Sequence, residues 1–497
     1  MTAVKHDLLT MLISGGDDRL LLDPATGRNM YGYGPAPALG DLAFSSSTAS
    51  TISTRGYAAA RDLWHRIGPD VVTGDAASIY AEAAERIRMR LKSLIGLTPD
   101  EADVVLAASG TDLHLILPAL LAGKHGKPVL TLSLTGAETG SGVPSMSAGC
   151  HAMPHAVSGR AVEKGGKLKP DVPLTCKTLA ARLPGGALRP EGDIAVELAM
   201  AISNAVSEGR HCLLIATDVS KTGLIAPALA TVFALKERFG EHLDILVDAC
   251  QFRIAPTTLK AYLARDCFVA VTGSKFMSGP IFSGALMVPK RLADTLKSAV
   301  PCVALGDYSG AGDWPSDWAA AATLPRRRNF GLLLRWQAAL AEMEPLFARH
   351  PLKIGWVMLK FAAAVTDFIK SDSRFASIPT RVPDRSALQI EESYDTLPSV
   401  HPFLLRRGDQ FVPADEMARI YRDLQTPASG PAIRLGQPVA LGTREGVDLA
   451  ALRICLGAPG VDAAAESPEA LDRLIADGLT ALSAAAEAME SRAIRVA

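Results

Sequence analysis

The stretch Val271-Thr272-Gly273-Ser274-Lys275-Phe276-Met277-Ser278-Gly279-Pro280 sets one lysine in a turn of small residues, directly after the apolar run 268–271. An amine shown at the end of a buried strand, with hydroxyls and glycines around it, suits nucleophilic attack on a carbonyl. A lone lysine there is equally an ordinary surface residue, because burying an amine needs compensation. What strengthens the nucleophile reading lies upstream, where the apolar run 245–247 ends on the carboxylate Asp248, followed by Ala249-Cys250-Gln251.

Three further segments carry polar groups where chemistry could use them. Ser109, Gly110 and Thr111 stand just before the apolar helical stretch beginning at Leu113. Free backbone N–H groups and hydroxyls at a helix start suit a phosphate monoester; the same residues also make a plain N-cap. Thr217-Asp218-Val219-Ser220-Lys221-Thr222-Gly223 follows another apolar run. Ligands sit at the carboxyl ends of parallel strands, so Ser220 is well placed, and a simple Ser-Lys turn is the alternative. In Leu452-Arg453-Ile454-Cys455-Leu456-Gly457 an arginine sits among apolar residues. Its guanidinium can meet a carboxylate bidentately or pair with a local Asp or Glu.

The elements that must position these groups alternate between the two periodicities of strand and helix, the pattern of βα units on a mainly parallel sheet. Strands are expected near 104–107, 128–133, 212–216, 245–247, 268–271 and 284–288, and helices over 76–95, 112–121, 194–208, 226–239 and 291–298. The Gly-, Pro- and Lys-rich region 144–192 reads as a surface excursion. Beyond 288 the pattern changes: a loop over 306–318, helices over 329–349 and 355–371, then from 391 short strands and an Ala-rich helix from Pro468. This divides the chain into an N-terminal arm (1–50), a large domain (51–300) and a linking helix with a small C-terminal domain (301–497).

With 497 residues and 48% hydrophobic content the chain can bury a large core. Its 51 basic and 52 acidic residues balance, and no Lys/Arg face tracks a phosphate backbone, so nucleic acid is an unexpected partner. The seven cysteines (150, 176, 212, 250, 267, 302 and 455) form no CxxC pair, which predicts reduced thiols in a cytoplasmic protein, with neither a metal site nor disulfides. The start, Met1-Thr2-Ala3-Val4-Lys5-His6-Asp7, leads into no signal-peptide apolar region, and no long uncharged apolar run predicts a membrane span.

Taken in order, the motifs S-G-T before a helix, S-x-T-G, D-x-x-Q at a strand end, S-K-x-x-x-G-P and a C-terminal R-I-x-L-G resemble those of the fold type I pyridoxal 5′-phosphate (PLP) enzymes. Within these the chain is most similar to the class V aminotransferase and cysteine desulfurase superfamily, from about Tyr31 to the end and most strongly over 104–290. The resemblance implies an α/β fold with a mainly parallel, seven-stranded-type sheet flanked by helices, and a smaller α+β C-terminal domain. It implies PLP bound covalently at Lys275, which also moves the substrate α-proton, with Asp248 on the pyridine nitrogen and Gln251 near the 3′-oxygen. Ser109, Gly110, Thr111, Thr272 and Ser274 would hold the phosphate, Ser220 would lie beside the ring, and Arg453 would grip the substrate carboxylate. Tyr31 and Tyr33 would line the entrance, with 306–314 as a cross-subunit lid of a homodimer.

The departures from the family bear on the reaction. Relatives usually carry an aromatic or histidine over the ring in the loop that here reads Thr135-Gly136-Ala137-Glu138-Thr139-Gly140-Ser141-Gly142; Glu138 or Thr139 is the residue expected near that face. Many relatives have His where this chain has Ser274. Between Lys275 and Arg453 the only cysteine is Cys302, early in that span, and Cys455 falls in a strand, so a persulfide relay is disfavoured. The leading expectation is an aminotransferase acting on an amino acid. The alternatives are a β-eliminating or C–S-cleaving lyase and a silent PLP-fold binding protein.

Overall fold

The computed structural model describes residues 7–168, 173–391, 393–426 and 430–496. Residues 1–6 of the start read for export signals, and 169–172 of the 144–192 region, lie outside the described residues. Thirteen strands are described: β1 (Leu42–Phe44), β2 (Ala102–Ala107), β3 (Val129–Leu134), β4 (Leu174–Leu179), β5 (His211–Thr217), β6 (Leu243–Ala249), β7 (Phe268–Thr272), β8 (Gly284–Pro289), β9 (Phe375–Ser377), β10 (Val400–Arg407), β11 (Gln410–Phe411), β12 (Ile433–Arg444) and β13 (Val447–Cys455).

Seven of these make one sheet in the order β2-β8-β7-β6-β5-β3-β4. Only β8 runs against its neighbours β2 and β7; every other pairing is parallel. Strands such as β3, β5, β7 and β8 are buried along their whole length, as expected when helices cover both faces. The register explains why distant motifs meet. Thr217 pairs with Asp248, Ala249 with Val271, Thr272 with Gly284, and Gly284 in turn with Ala107. The loops that leave β2, β5, β6 and β7 therefore emerge side by side at one edge of the sheet, where α/β folds bind ligands.

The region 144–192 is not only a surface excursion, because β4 lies inside it and pairs with β3 at the sheet margin. Leu174 and Leu179 are buried while Thr175, Lys177 and Thr178 are not fully covered, so no apolar run marks this edge strand. A second sheet follows the order β1-β12-β13-β10-β11, with β9 also on β10. Here β1, from the N-terminal arm, pairs in parallel with β12. The helix Thr54–Thr73, capped by Ser53, packs on Phe330–Ala348.

The segment 306–314, expected as a lid, is fastened within its own chain. Tyr80 donates its hydroxyl to Asp313, Arg88 donates to Gly312 O at 3.1 Å, and Trp314 Nε1 donates to Ser309 Oγ at 2.9 Å. Tyr308 and Trp314 are buried in the core.

Candidate active site

A cavity of about 210 Å³ opens at the edge where these loops emerge. At one end lies the N-terminus of the helix Gly110–His125, closed by a capping box between Ser109 and Asp112. A Cβ on Gly110 would stand 2.8 Å from both Cys250 Sγ and Thr272 Cγ2, so only glycine lets the helix start this near β6 and β7. Arg19, from the N-terminal arm, reaches in: Nη1 donates to Thr111 Oγ1 at 3.1 Å and Nη2 to Ser109 Oγ at 3.2 Å, while Asp17 holds the same guanidinium at 2.7 Å. No motif in the sequence announces Arg19, which touches the cradle across 92 positions of chain.

The floor is carried by β6 and β7. Asp248 is buried, and its Oδ2 stands 3.3 Å from Nε2 of His114, without the alignment of a hydrogen bond. Burial opposes ionisation here, yet His114 and then Lys275 hold the Asp248 carboxyl well below the ordinary range. His114 was not foreseen; it sits one turn into the helix, and both ring nitrogens lack a hydrogen-bond partner among the described residues. Lys275 is half-buried and lines the cavity with Thr272 and Ser274, whose hydroxyls are linked at 3.2 Å. Among the described residues its ammonium has no hydrogen-bond or ion-pair partner. Tyr31, Thr48, Lys221 and Gln437 close the remaining wall.

Several expected site residues face elsewhere. Glu138 does not cover the cavity: Arg182 Nε donates to it at 2.8 Å, Ser220 Oγ at 2.7 Å and Thr222 Oγ1 at 2.8 Å. A buried carboxylate requires a counter-ion and donors, and this network takes Ser220 away with it. Gln251 also turns back, donating to Val219 O and Ser220 O at 3.1 and 2.6 Å and accepting from Arg253. Tyr33 is buried with its hydroxyl on Ser45 and its ring under Arg434. Arg453 is 1% exposed and lies behind the wall rather than in it.

Two groupings of possible metal ligands exist although none was expected. His114, Asp248 and Cys250 gather in the cavity, and His125, His211 and Asp244 gather at the opposite ends of β5 and β6, the last with Lys236 alongside. A separate cavity of about 180 Å³ is lined by Arg253, Arg385 and His401, away from the lysine.

No family model matches the sequence, and no curated protein matches it either. Solved structures do. A NifS-like protein from Rickettsia africae is 10% identical, covering 88% of this chain and 99% of its own at a TM-score of 0.51. A cystine C–S lyase, solved with its product cysteine persulfide, is 13% identical over 89% and 98% at 0.52. The Escherichia coli cysteine desulfurase CsdA is 15% identical over 93% and 99% at 0.51. The chain has the fold of the fold type I PLP-dependent enzymes.

Proposed function

We propose that this cavity holds PLP and that the protein is an enzyme acting on an amino acid. The observation that carries the reading is Lys275, an ammonium with no partner among the described residues, sharing one cavity with a buried, ionised carboxylate and the capped N-terminus of the helix Gly110–His125. The fit is physical: Gly110 leaves a cradle that a Cβ would fill, and the hydroxyls of Ser109 and Thr111 with the Arg19 guanidinium match a phosphate. When bound, PLP supplies an aldehyde for amines and a cationic ring that takes up the electron pair left at the substrate α-carbon. Lys275 would bind it covalently and then move the proton at that carbon. Asp248, kept ionised, would hold a proton on the pyridine nitrogen, with His114 steadying the carboxylate.

Of the two reactions expected from the sequence, the lyase reading now has the better support, because a cystine C–S lyase and a cysteine desulfurase are among the structures sharing the fold. A protein-bound persulfide is disfavoured: Cys250 is the only cysteine lining the cavity among the described residues, and burial pushes its thiol well above the usual range. Transamination is the second reading, since the same lysine serves it.

Incubating the PLP-loaded protein with L-cystine and with β-chloro-L-alanine, without keto acid, separates them. Pyruvate release with the original spectrum restored is expected. Stoichiometric pyridoxamine 5′-phosphate without pyruvate would move the assignment to an aminotransferase. Borohydride reduction and peptide mapping should place the pyridoxyl group on Lys275.

A further inference from the structure

Resting on the cavity as a PLP site, the geometry points to Lys221, and not Arg453, as the cation that meets the substrate carboxylate. Arg453 is turned to the back of the wall. Its Nε and Nη2 donate to Gln437 O at 3.1 and 2.7 Å, Nη2 also to Thr48 Oγ1 at 2.8 Å, and Nη1 to Lys221 O at 3.2 Å. The three residues it holds all line the cavity, and Arg453 does not. A guanidinium with its fork occupied by carbonyls and a hydroxyl is a brace for those groups, so Arg453 is a positioning residue.

Lys221 is delivered into the cavity by the turn that carries it. Ser220 and Thr222 on either side turn their hydroxyls to Glu138, and the Lys221 main-chain N–H donates to Glu138 O at 2.8 Å. With both neighbours anchored outward, the side chain between them projects the other way and joins the wall beside Lys275. Nζ donates to Gly136 O at 2.8 Å, which uses one of its three protons.

The charges around it call for an anion. Asp248 is the only carboxylate lining the cavity, and the Lys221 ammonium has no carboxylate partner among the described residues. Burial, then the like charges of Arg453 and Lys275, push the Lys221 ammonium down to about 7, with Glu138 opposing from behind. An arriving carboxylate would relieve this desolvated repulsion, and a substrate α-carboxylate is the anion that must lie near Lys275.

The test compares two oxyamines on the PLP-loaded protein, aminooxyacetate and methoxyamine. Both displace Lys275 from the cofactor, and only the first carries a carboxylate. The ratio of their second-order rate constants, read as loss of the cofactor's visible absorbance, reports carboxylate recognition without needing the natural substrate. Wild-type protein should favour aminooxyacetate, and Lys221→Met and Lys221→Gln should each lower the ratio about tenfold or more, the scale of a lost charged hydrogen bond. Lys221→Arg should recover most of it, and Arg453→Lys should slow both reagents by the same factor. A ratio unmoved in both Lys221 variants, or one abolished by Arg453→Lys alone, overturns the assignment. A wild-type protein with no visible cofactor band overturns the PLP reading itself, and the proposal with it.

Discussion

Asp248 carries a charge that burial alone would remove, and the charge persists because His114 and Lys275 face it. With PLP bound as proposed, Asp248→Asn would remove the one carboxylate that, among the described residues, lines the cavity and would keep the pyridine nitrogen protonated. Turnover with β-chloro-L-alanine should fall by orders of magnitude, several kcal/mol in the barrier, with the melting temperature nearly unchanged. A pH profile addresses Lys221. Burial first, then the charges of Arg453 and Lys275, push its ammonium down to about 7, with Glu138 acting the other way. The aminooxyacetate preference should therefore be full below that pH and decline above it, levelling off near the ratio of Lys221→Met, since only the charged form attracts a carboxylate. At this scale the lining of the cavity was readable where its residues sit in a contiguous motif, as with Ser109–Thr111, Asp248 and Lys275. Arg19 and His114 had no such signal, because their meaning lies in neighbours far along the chain, and Lys221 was read only as part of a Ser-Lys turn. Ser220 turns its hydroxyl to Glu138 and Gln251 donates to the Ser220 carbonyl, which spacing alone does not reveal.

Where the helix Gly110–His125 meets β6 and β7, the clearance at one Cα decides whether the cradle exists. Gly110→Ala would press a methyl against Cys250 and Thr272, both at 2.8 Å. Overpacking of this kind costs about 1–3 kcal/mol. Retention of PLP through dialysis should drop sharply, and chemical denaturation should show the smaller loss of stability. The parallel strands were legible because each is an apolar run bounded by turn residues. The margin strand β4 was not, since only its buried ends are apolar. The 306–314 segment was expected as a cross-subunit lid, yet Tyr80, Arg88 and Ser309 fasten it within its own chain, contacts that arise from a helix far upstream as much as from the loop itself.

Across the whole molecule, the loop after β5 is tied to the later part of the chain through a buried ion pair. Arg385 is 3% exposed and Asp218 0%; Arg385 Nε donates to Asp218 Oδ2 at 2.8 Å, and Tyr262 donates to the same oxygen at 2.6 Å. Arg385→Ala would leave an unpaired buried carboxylate, costing about 3–5 kcal/mol by denaturant titration, whereas a paired replacement would cost far less. No helix among the described residues is long and apolar enough to cross a membrane. Apolar side chains do face solvent, Leu39, Met30 and Val303 among them, the second at the cavity mouth. We propose the homodimer that the resemblance implies; light scattering should give twice the 52.3 kDa chain mass.

The parallel pairing of β1 with β12 has a consequence for biogenesis. Asp41 and Arg434 form an ion pair 2.9 Å long across 393 positions of sequence, and the same arm carries Arg19 and Tyr31 to the cavity. At ribosomal rates of about 5–20 residues per second, β1 waits about 20–80 s for its strand partner β12. The arm can thus be fixed by its strand pairing only once β12 has been made, long after the large sheet that it lies against has been synthesised.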